Sequence, residues 1–339
     1  MVDTYVIPLL KIVIVLLSVI ASVAYMVLLE RKVIAWIQVR LGPMRVGPYG
    51  ILQPIADVIK LLLKEDITPA RADRWVFAAA PIIVLVPALI VFAVIPFGST
   101  VRLFGRDIPL YVADINVGLL YIVSVASIGI YGIILGGWAS NSKYPLLGSL
   151  RSSAQLISYE VAITLTLVSV IMTAGTLSMV KIVEAQQASR WWFLFVQPVA
   201  FVMLFIGGLA ETNRAPFDLP EAEQELTAGF FTEYSGIRFA LFFLAEYANM
   251  IVVSSVATTL FLGGWLAPFP NVGALGFLGF VPGWIWFLLK MFVLLYLFIW
   301  IRGTFPRYRY DQLMRIGWKV LIPLAIANVI VTAALTVIL

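Results

Sequence analysis

Eight long runs of apolar residues divide the chain, and polar or charged connections separate them. A helix needs about 20 mostly apolar residues to cross a bilayer. The runs do not alternate between polar and apolar positions, as the strands of a membrane β-barrel do. Since a helix pairs its backbone groups within the segment, the pattern predicts a bundle of about eight membrane-spanning helices. The predicted spans are 6–29, 76–96, 115–138, 156–178, 191–210, 237–262, 284–301 and 317–338.

The composition agrees with this pattern. The chain is 62% hydrophobic and 12% charged, which is typical of multi-span membrane proteins. The predicted fold class is therefore an all-α integral membrane protein, in which residues 1–339 form a single polytopic domain. No basic residue precedes Lys11, so we expect the first run to be a retained span and not a cleaved signal peptide.

Lys and Arg are distributed unevenly among the connections. Counted with the adjoining span ends, the connections after spans one, three, five and seven carry seventeen of these residues, and the other connections carry four. Basic residues concentrate on the cytoplasmic side of membrane proteins. The sequence therefore predicts cytoplasmic connections at 30–74, 211–235 and 302–319. We expect a bacterial cytoplasmic (inner) membrane, with both termini on the periplasmic side.

The first connection contains a predicted amphipathic helix near 51–65. Ile51, Ile55 and Val58 recur at helical spacing, while Asp57 and Lys60 lie on the opposite face. The segment is too short to span a bilayer, so we interpret it as a helix in the cytoplasmic interface. It either rests on lipid with its charges solvated or lines a ligand site.

The connection at 211–235 is unusually acidic. It contains one base, Arg214, and six of the eighteen acidic residues of the chain. Asp218 can cap a helix with Glu221 as its capping-box partner, and Gly229 can end that helix. Capping accounts for part of the acidity. The six acidic residues are Glu211, Asp218, Glu221, Glu223, Glu225 and Glu233.

Several carboxylates lie within or at the ends of predicted spans. Glu160 is a turn or so into the fourth span, and Glu246 lies about 13 Å below the edge of the sixth. Glu211 ends the fifth span, Glu30 ends the first, and Lys290 enters the seventh from the opposite side. Ionisable groups inside a membrane are costly and mark functional sites. Each carboxylate either pairs with a neighbouring Arg or snorkels, or it carries protons.

The chain contains neither Cys nor His. Disulfides, thiolate metal sites and cysteine-held iron–sulfur clusters are therefore excluded, as is the usual proton carrier at neutral pH. Proton chemistry would have to use carboxylates, Lys, Tyr and water. We predict no metal site and no redox cofactor in this chain.

Six segments carry recognisable motifs: LLERKVIAWIQVRLGP at 28–43, GILQPIADVIKLLLKE at 50–65, GWASNSKYPLLGSLRSSAQLISYEV at 137–161, AETNRAPFDLPEAEQEL at 210–226, FFLAEYANM at 242–250 and IRGTFPRYRYDQLMRIGWK at 301–319. In this order and on this topology, they resemble the NuoH family. That family is the quinone-site membrane subunit of respiratory complex I, and its mitochondrial counterpart is NADH dehydrogenase subunit 1.

The resemblance implies a subunit of a proton-pumping NADH:quinone oxidoreductase, without a complete active site of its own. Family members form the far part of a quinone tunnel, from which an acidic channel leads toward neighbouring subunits. The channel positions match Glu160, Glu211 and Glu246, while Asp218 and Glu225 fall in a loop that changes conformation. The third span has no acidic residue, unlike that of some relatives. The quinone-cavity positions match Arg31, Asp57, Lys60, Arg214, Phe217, Glu221, Glu223 and Arg302.

The resemblance also implies the cofactors and partners. Quinone is the expected substrate and is not covalently bound, while flavin and iron–sulfur clusters are expected only in partner subunits. The expected partners are peripheral-arm subunits at the quinone site, adjacent small membrane subunits and membrane lipid. Nucleic acid is not expected, because topology explains the basic connections.

Two other functions remain open at this stage. One is the membrane subunit of a related membrane-bound hydrogenase, which the identity of the copurifying proteins would distinguish. The other is a stand-alone secondary transporter. Such transporters often have internal repeats with helices broken near the midplane, and the sequence contains no obvious repeat.

Overall fold

A computed structural model describes residues 5–103, 105–189, 191–218, 229–268 and 278–338. Seven helices in these ranges are long and apolar enough to cross a membrane. They correspond to seven of the eight predicted spans, and the all-α membrane fold is confirmed. Together with the shorter ones, the described α-helices are α1 (Ile7–Ile37), α2 (Gln53–Leu63), α3 (Arg74–Ile90), α4 (Gly118–Ala139), α5 (Lys143–Ala174), α6 (Met179–Ala188), α7 (Phe193–Val196), α8 (Pro198–Glu211), α9 (Gly236–Phe261), α10 (Gly283–Thr304), α11 (Tyr310–Ile316) and α12 (Ile322–Ile338).

The long helices run alternately up and down, so the bundle has two distinct ends. At one end α1, α4 and α10 finish and α3, α5 and α9 begin; we call it the charged end. There, the amide of Asp73 donates to the carbonyl of Ala139. The opposite end carries α6 and a two-stranded antiparallel hairpin, β1 (Thr100–Leu103) and β2 (Arg106–Pro109). We call it the hairpin end. Neither α6 nor the hairpin was predicted from the sequence.

The core between the helices is apolar and tightly packed. A Cβ atom on Gly132 of α4 would lie 2.9 Å from the backbone oxygen of Ala80 and 2.9 Å from the nitrogen of Val84, both in α3. Glycine therefore allows these two helices to approach closely, as small residues do in membrane bundles. The largest fully buried side chains include Phe77, Phe92, Tyr159, Phe242, Phe261, Phe287 and Phe298.

The fifth predicted span is interrupted. The helix breaks at Gln197 (φ −134°, ψ 62°), and α8 restarts at Pro198, whose missing N–H suits a first turn. Gln197 bonds to α5, since its side chain accepts from the Ser169 hydroxyl at 2.8 Å and donates to the Ser169 carbonyl at 3.0 Å. At 14 residues, α8 is about 21 Å long. It therefore ends at Glu211 within the bundle.

Three helices extend beyond the limits of the predicted spans. α1 continues to Ile37, so Glu30 lies inside the helix and not at its end. α5 begins at Lys143, which places Glu160 near the middle of a 32-residue helix and not near its start. The predicted connection at 302–319 is mostly helical, because α11 passes through a π-helical segment, Gly317–Leu321, into α12. The sequence did not reveal these helix ends because they contain polar residues. Many of these polar residues are buried against neighbouring helices.

The amphipathic segment forms α2, within the predicted range. Its apolar side chains are exposed, with Ile55 at 50% and Leu62 at 60% relative exposure. An apolar face that stays exposed among the described residues is typical of a helix at a membrane surface. Its placement in the interface stays a prediction.

Lys290 of α10 stabilises the hairpin end. Its side chain is buried, and the Nζ atom donates to the carbonyls of Leu262 at 2.6 Å, Gly264 at 3.0 Å and Leu266 at 2.6 Å. These carbonyls follow the last turn of α9, where the helix dipole favours a cation. The ammonium also lies 4.4 Å from the centre of the Trp192 ring. Lys290 is thus the C-terminal cap of α9.

Replacing Lys290 with Met should destabilise the protein. The change removes three hydrogen bonds, and a buried carbonyl left without a donor costs about 1–3 kcal/mol. We expect less assembled protein to survive a heat challenge, measured by native electrophoresis after incubation at increasing temperatures. Lys181→Met is the matched control, because Lys181 is exposed at the same end. Equal heat resistance of the two variants would contradict the capping role.

Candidate functional site

A buried, non-helical segment lies at the charged end, between the end of α8 and residue 218. Thr212, Asn213, Arg214 and Asp218 are all at most 8% exposed. Its backbone groups are well paired. The amide of Arg214 donates to the Leu209 carbonyl at 3.2 Å, and Pro216 accepts from the amide of Tyr308 at 3.0 Å. Non-helical backbone at membrane depth is tolerated only where protein or a cavity surrounds it, so this segment is held in a defined position.

Arg214 connects two carboxylates from different helices. Its Nε atom lies 2.6 Å from Oε1 of Glu246 in α9, and its Nη1 atom lies 3.3 Å from Oε1 of Glu30 in α1. The guanidinium also lies 4.1 Å from the centre of the Tyr247 ring. Since the planar guanidinium has five donors in a fixed arrangement, one arginine can hold both carboxylates at once.

Glu30 completes the cluster. It accepts a hydrogen bond from the Tyr247 hydroxyl at 2.5 Å, and its Oε1 atom pairs with Nη1 of Arg302 from α10. Glu30 is 4% exposed. Buried ions are tolerated when they are paired and hydrogen-bonded. The two arginines and two glutamates, Arg214, Arg302, Glu30 and Glu246, balance in formal charge, and we call these four residues the arginine cluster.

A cavity of about 60 Å³ lies beside the arginine cluster, between α3, α4, α5, α8 and α9. It is large enough for a few water molecules, since each needs about 10–15 Å³ measured in this way. Glu160, Glu211 and Glu246 all line it, so the structure brings the three predicted relay residues to one cavity. Its other polar lining residues are Ser127, Thr212, Asn213 and Asn249.

A second cavity, of about 50 Å³, adjoins the first. Glu160 and Glu211 line both cavities, but the remaining lining of the second consists of apolar residues and Gly208. Glu160 and Glu211 therefore lie at the boundary between a cavity with several polar lining residues and an apolar cavity. Glu160 also contacts the hydroxyl of Ser127, which faces it from α4.

The predicted quinone-cavity residues that the structure describes do not all lie together. Arg214 and Arg302 belong to the arginine cluster. Arg31 and Asp57 form a partly exposed pair between α1 and α2, with Nη1 and Oδ2 2.8 Å apart. Gln53 also donates to Asp57 at 3.0 Å. Lys60 lies exposed on α2, one turn beyond Asp57.

The ring of Phe217 lies in an aromatic contact. Phe217 is buried, and its ring centre lies 5.6 Å from those of Tyr159 and Tyr308. The next residue, Asp218, pairs with Arg307 at 2.9 Å. The predicted capping role of Asp218 concerns a helix outside the described residues. Glu221, Glu223 and Glu225 also lie outside them.

The charged end is joined to the connection before α3. The Ser235 hydroxyl donates to the carbonyl of Glu65 and accepts from the amide of Ile67, both at 3.0 Å. Arg238 pairs with Asp66 at 2.9 Å. Nearby Tyr234 donates to the Phe77 carbonyl at 3.2 Å, and burial raises its pKa. Helix α9 carries Glu246, and its first turn is therefore fixed to the segment that follows α2.

Two residues of this site, Tyr247 and Ser127, were not considered from the sequence. Glu30 was considered as a span-end carboxylate that pairs with an arginine or carries protons, but it was not assigned to a site. A signal existed for Glu30 and Tyr247, because Glu30 precedes Arg31 and Tyr247 follows Glu246 within quoted motifs. No signal in the sequence connects Ser127 to Glu160.

Comparison with known proteins identifies the family of the chain. The family described as NADH dehydrogenase matches residues 10–333. An NADH-quinone oxidoreductase subunit of the NuoH type, from Geobacter sulfurreducens, is 56% identical, over 95% of this chain and 92% of the relative. The corresponding subunits of Syntrophotalea carbinolica and Rickettsia typhi are 52% and 55% identical, over 98% and 96% of this chain and 96% and 92% of the relatives. The chain belongs to the NADH dehydrogenase family.

Proposed function

We propose that this chain is the membrane subunit of a proton-pumping NADH:quinone oxidoreductase that forms part of the quinone cavity and links quinone reduction to proton movement. The names of its relatives support the enzyme, since they are subunits of NADH-quinone oxidoreductase. The single observation that supports the link is the position of Arg214. Its side chain contacts Glu30, which also holds Arg302 of the cavity set, and Glu246 of the relay set.

The arginine cluster can transmit a change of charge. Electrostatic interactions are strong in a buried site with a low dielectric constant. Negative charge that develops on a bound quinone near Arg302 and Arg214 would compete with the glutamates for the guanidinium groups. When Arg214 interacts less with Glu246, that carboxylate loses its counter-charge and binds a proton more readily. Reduction of the quinone would thus lead to protonation of Glu246.

The cavity provides the next step. Glu246, Glu211 and Glu160 line the same space, which has room for bridging water. A proton can therefore pass among the three carboxylates through water without a large movement of the backbone. The adjoining apolar cavity disfavours water beyond Glu160 and Glu211. Protons would consequently leave toward a neighbouring subunit and not straight through this chain.

The remaining parts of the reaction belong to other subunits. Flavin and iron–sulfur clusters would be held by partners in the peripheral arm, because this chain has no cysteine ligands. The peripheral arm would contact the charged end, and small membrane subunits would receive the protons. In this arrangement the charged end faces the cytoplasm of a bacterial cell, and both termini lie on the periplasmic side.

Conservative replacement of Arg214 tests the link. Lysine keeps the charge, but its ammonium cannot match the two-carboxylate geometry of the guanidinium. We expect Arg214→Lys to assemble and to reduce the NADH:quinone reductase rate by about tenfold or more, because the ammonium would lose at least one of the two charge-assisted hydrogen bonds. Arg238→Lys, in a partly exposed pair with Asp66, is the control and should stay within about twofold. A normal rate for assembled Arg214→Lys would refute the role of Arg214.

Removing the relay charges tests the proton path. Glu246→Gln and Glu211→Gln keep the side-chain shape but cannot exchange protons. We expect both variants to assemble and to show weakened quinone-linked activity and proton pumping, measured with pH-sensitive dyes in vesicles. Glu184→Gln is the control, because Glu184 is exposed at the hairpin end. Normal pumping by the correctly assembled double variant would exclude the relay.

The absence of native cysteine allows a direct test of orientation. A single cysteine at exposed Lys181, near the hairpin, should react with a membrane-impermeant maleimide in spheroplasts. A single cysteine at exposed Lys64, after α2, should be unreactive until the membrane is permeabilised. Labelling is measured on the affinity-isolated chain. The orientation is reversed if Lys181→Cys stays unlabelled in spheroplasts while Lys64→Cys reacts.

A further inference from the structure

Ser127 occupies a distinctive position on α4. It lines the cavity of about 60 Å³ beside Ala126, Gly129 and Ile130. Among the residues of α4 in that lining, Ser127 is the one that carries a hydroxyl group. Its Oγ atom contacts Oε1 of Glu160 and lies 2.9 Å from the backbone carbonyl oxygen of Val123. Within the described part of the chain, Ser127 is the side chain that hydrogen-bonds to Glu160.

The hydroxyl has two neighbouring acceptors but only one hydrogen. A serine hydroxyl can donate one hydrogen bond and accept others, and it rotates to suit its surroundings. When Glu160 is ionised, the hydroxyl can donate to the carboxylate. When Glu160 is protonated, the carboxyl O–H can donate to Oγ, and the serine hydrogen can turn to the carbonyl of Val123. Both protonation states of Glu160 are therefore satisfied without movement of either helix.

We propose that Ser127 is a positioning residue for proton transfer at Glu160, which holds the carboxyl group toward the cavity in both of its protonation states. This proposal rests on the proposed relay and extends it to a residue that no carboxylate pattern reveals. In one step, a hydrated proton in the cavity gives its proton to Glu160 and becomes water, while the Ser127 hydroxyl reverses its hydrogen bond. Serine neither gains nor loses a proton in this step.

The location of Glu160 explains why it needs such a partner. The carboxylate stands at the boundary with the apolar cavity, whose lining includes Ile163 and Leu167 of its own helix. Without a hydroxyl, the carboxylate would have to rely on cavity water, and an ionised group beside apolar surface is poorly stabilised. The third span has no carboxylate of its own, so Ser127 is the polar group through which α4 reaches the relay.

Two variants of nearly equal shape separate the hydroxyl from the packing. Threonine keeps the hydroxyl at position 127, whereas valine replaces it with a methyl group. Ser124 provides the matched control, since it lies almost one turn earlier on α4, is exposed and lines neither cavity. Ser124→Val has the same effect on helix propensity as Ser127→Val without touching Glu160. Glu160→Gln is measured alongside, to test the relay itself.

The experiment uses the intact complex in vesicles and measures the rate of proton pumping, together with the solvent deuterium isotope effect on that rate. We expect Ser127→Val to slow pumping by about tenfold, as for the loss of a hydrogen bond to a charged group. We also expect it to change the isotope effect. Ser127→Thr should retain at least about half of the pumping rate, because the hydroxyl can rotate in the same way. Ser124→Val should match the unmodified protein in both measurements.

The outcomes distinguish this proposal from the proposed relay. If Glu160→Gln is impaired while Ser127→Val pumps normally, Ser127 has no positioning role and the relay stands. If both pump normally, the relay through Glu160 fails as well. Equal impairment of Ser127→Thr and Ser127→Val would show that packing matters and not the hydroxyl, which also overturns the proposal. If Ser127→Val does not assemble, Ser127→Ala replaces it in the same comparison with Ser127→Thr.

Discussion

The pairing of Arg214 with Glu30 and Glu246 is the constraint on which the charged end depends. A lone charge at this depth would be costly, and burying it requires partners with good geometry. Those partners come from α1 and α9, while Arg302 from α10 balances the remaining negative charge. Helices α1, α9 and α10 are therefore held at a common point by two guanidinium groups that share Glu30. A membrane bundle lacks the hydrophobic driving force that joins helices in water, so such a cluster also contributes to their association.

The position of this guanidinium follows from two interruptions of helical structure. The break at Gln197 and the short length of α8 bring Glu211 into the bundle, and the chain then continues as the non-helical segment that carries Arg214. Gln155 of α5 supports this segment by donating to the carbonyls of Ala210 at 2.8 Å and Phe217 at 3.0 Å. Asn213 adopts a left-handed conformation (φ 49°), which asparagine tolerates better than most residues. A continuous fifth span would have carried Arg214 out of the bundle.

Hydrophobic runs predicted the bundle because lipid requires long apolar helices, and seven runs agree with helices of the structure. They could not predict the helix ends at Ile37 and Lys143, where polar residues are buried by neighbours from distant parts of the chain. Carboxylates inside spans identified Glu160, Glu211 and Glu246 as candidates, but their partners were not predictable. Glu30 and Arg214 are 184 positions apart, and only tertiary packing shows that Arg214 contacts both Glu30 and Glu246. The contact of Ser127 with Glu160 depends equally on the packing of α4 against α5.

In the proposed function, the balance of charge in the arginine cluster would allow a rigid site to respond to quinone chemistry. Two arginines and two glutamates form a nearly neutral group, so the resting state carries no large electrostatic penalty. Because Glu30 is shared between both arginines and Tyr247, it keeps partners when one arginine is drawn toward a new negative charge. Glu246 faces Arg214 on one side and the water-sized cavity on the other. Glu246 is thus the member of the arginine cluster that also lines the cavity, and in the proposed function this position would direct the response from the quinone toward the relay.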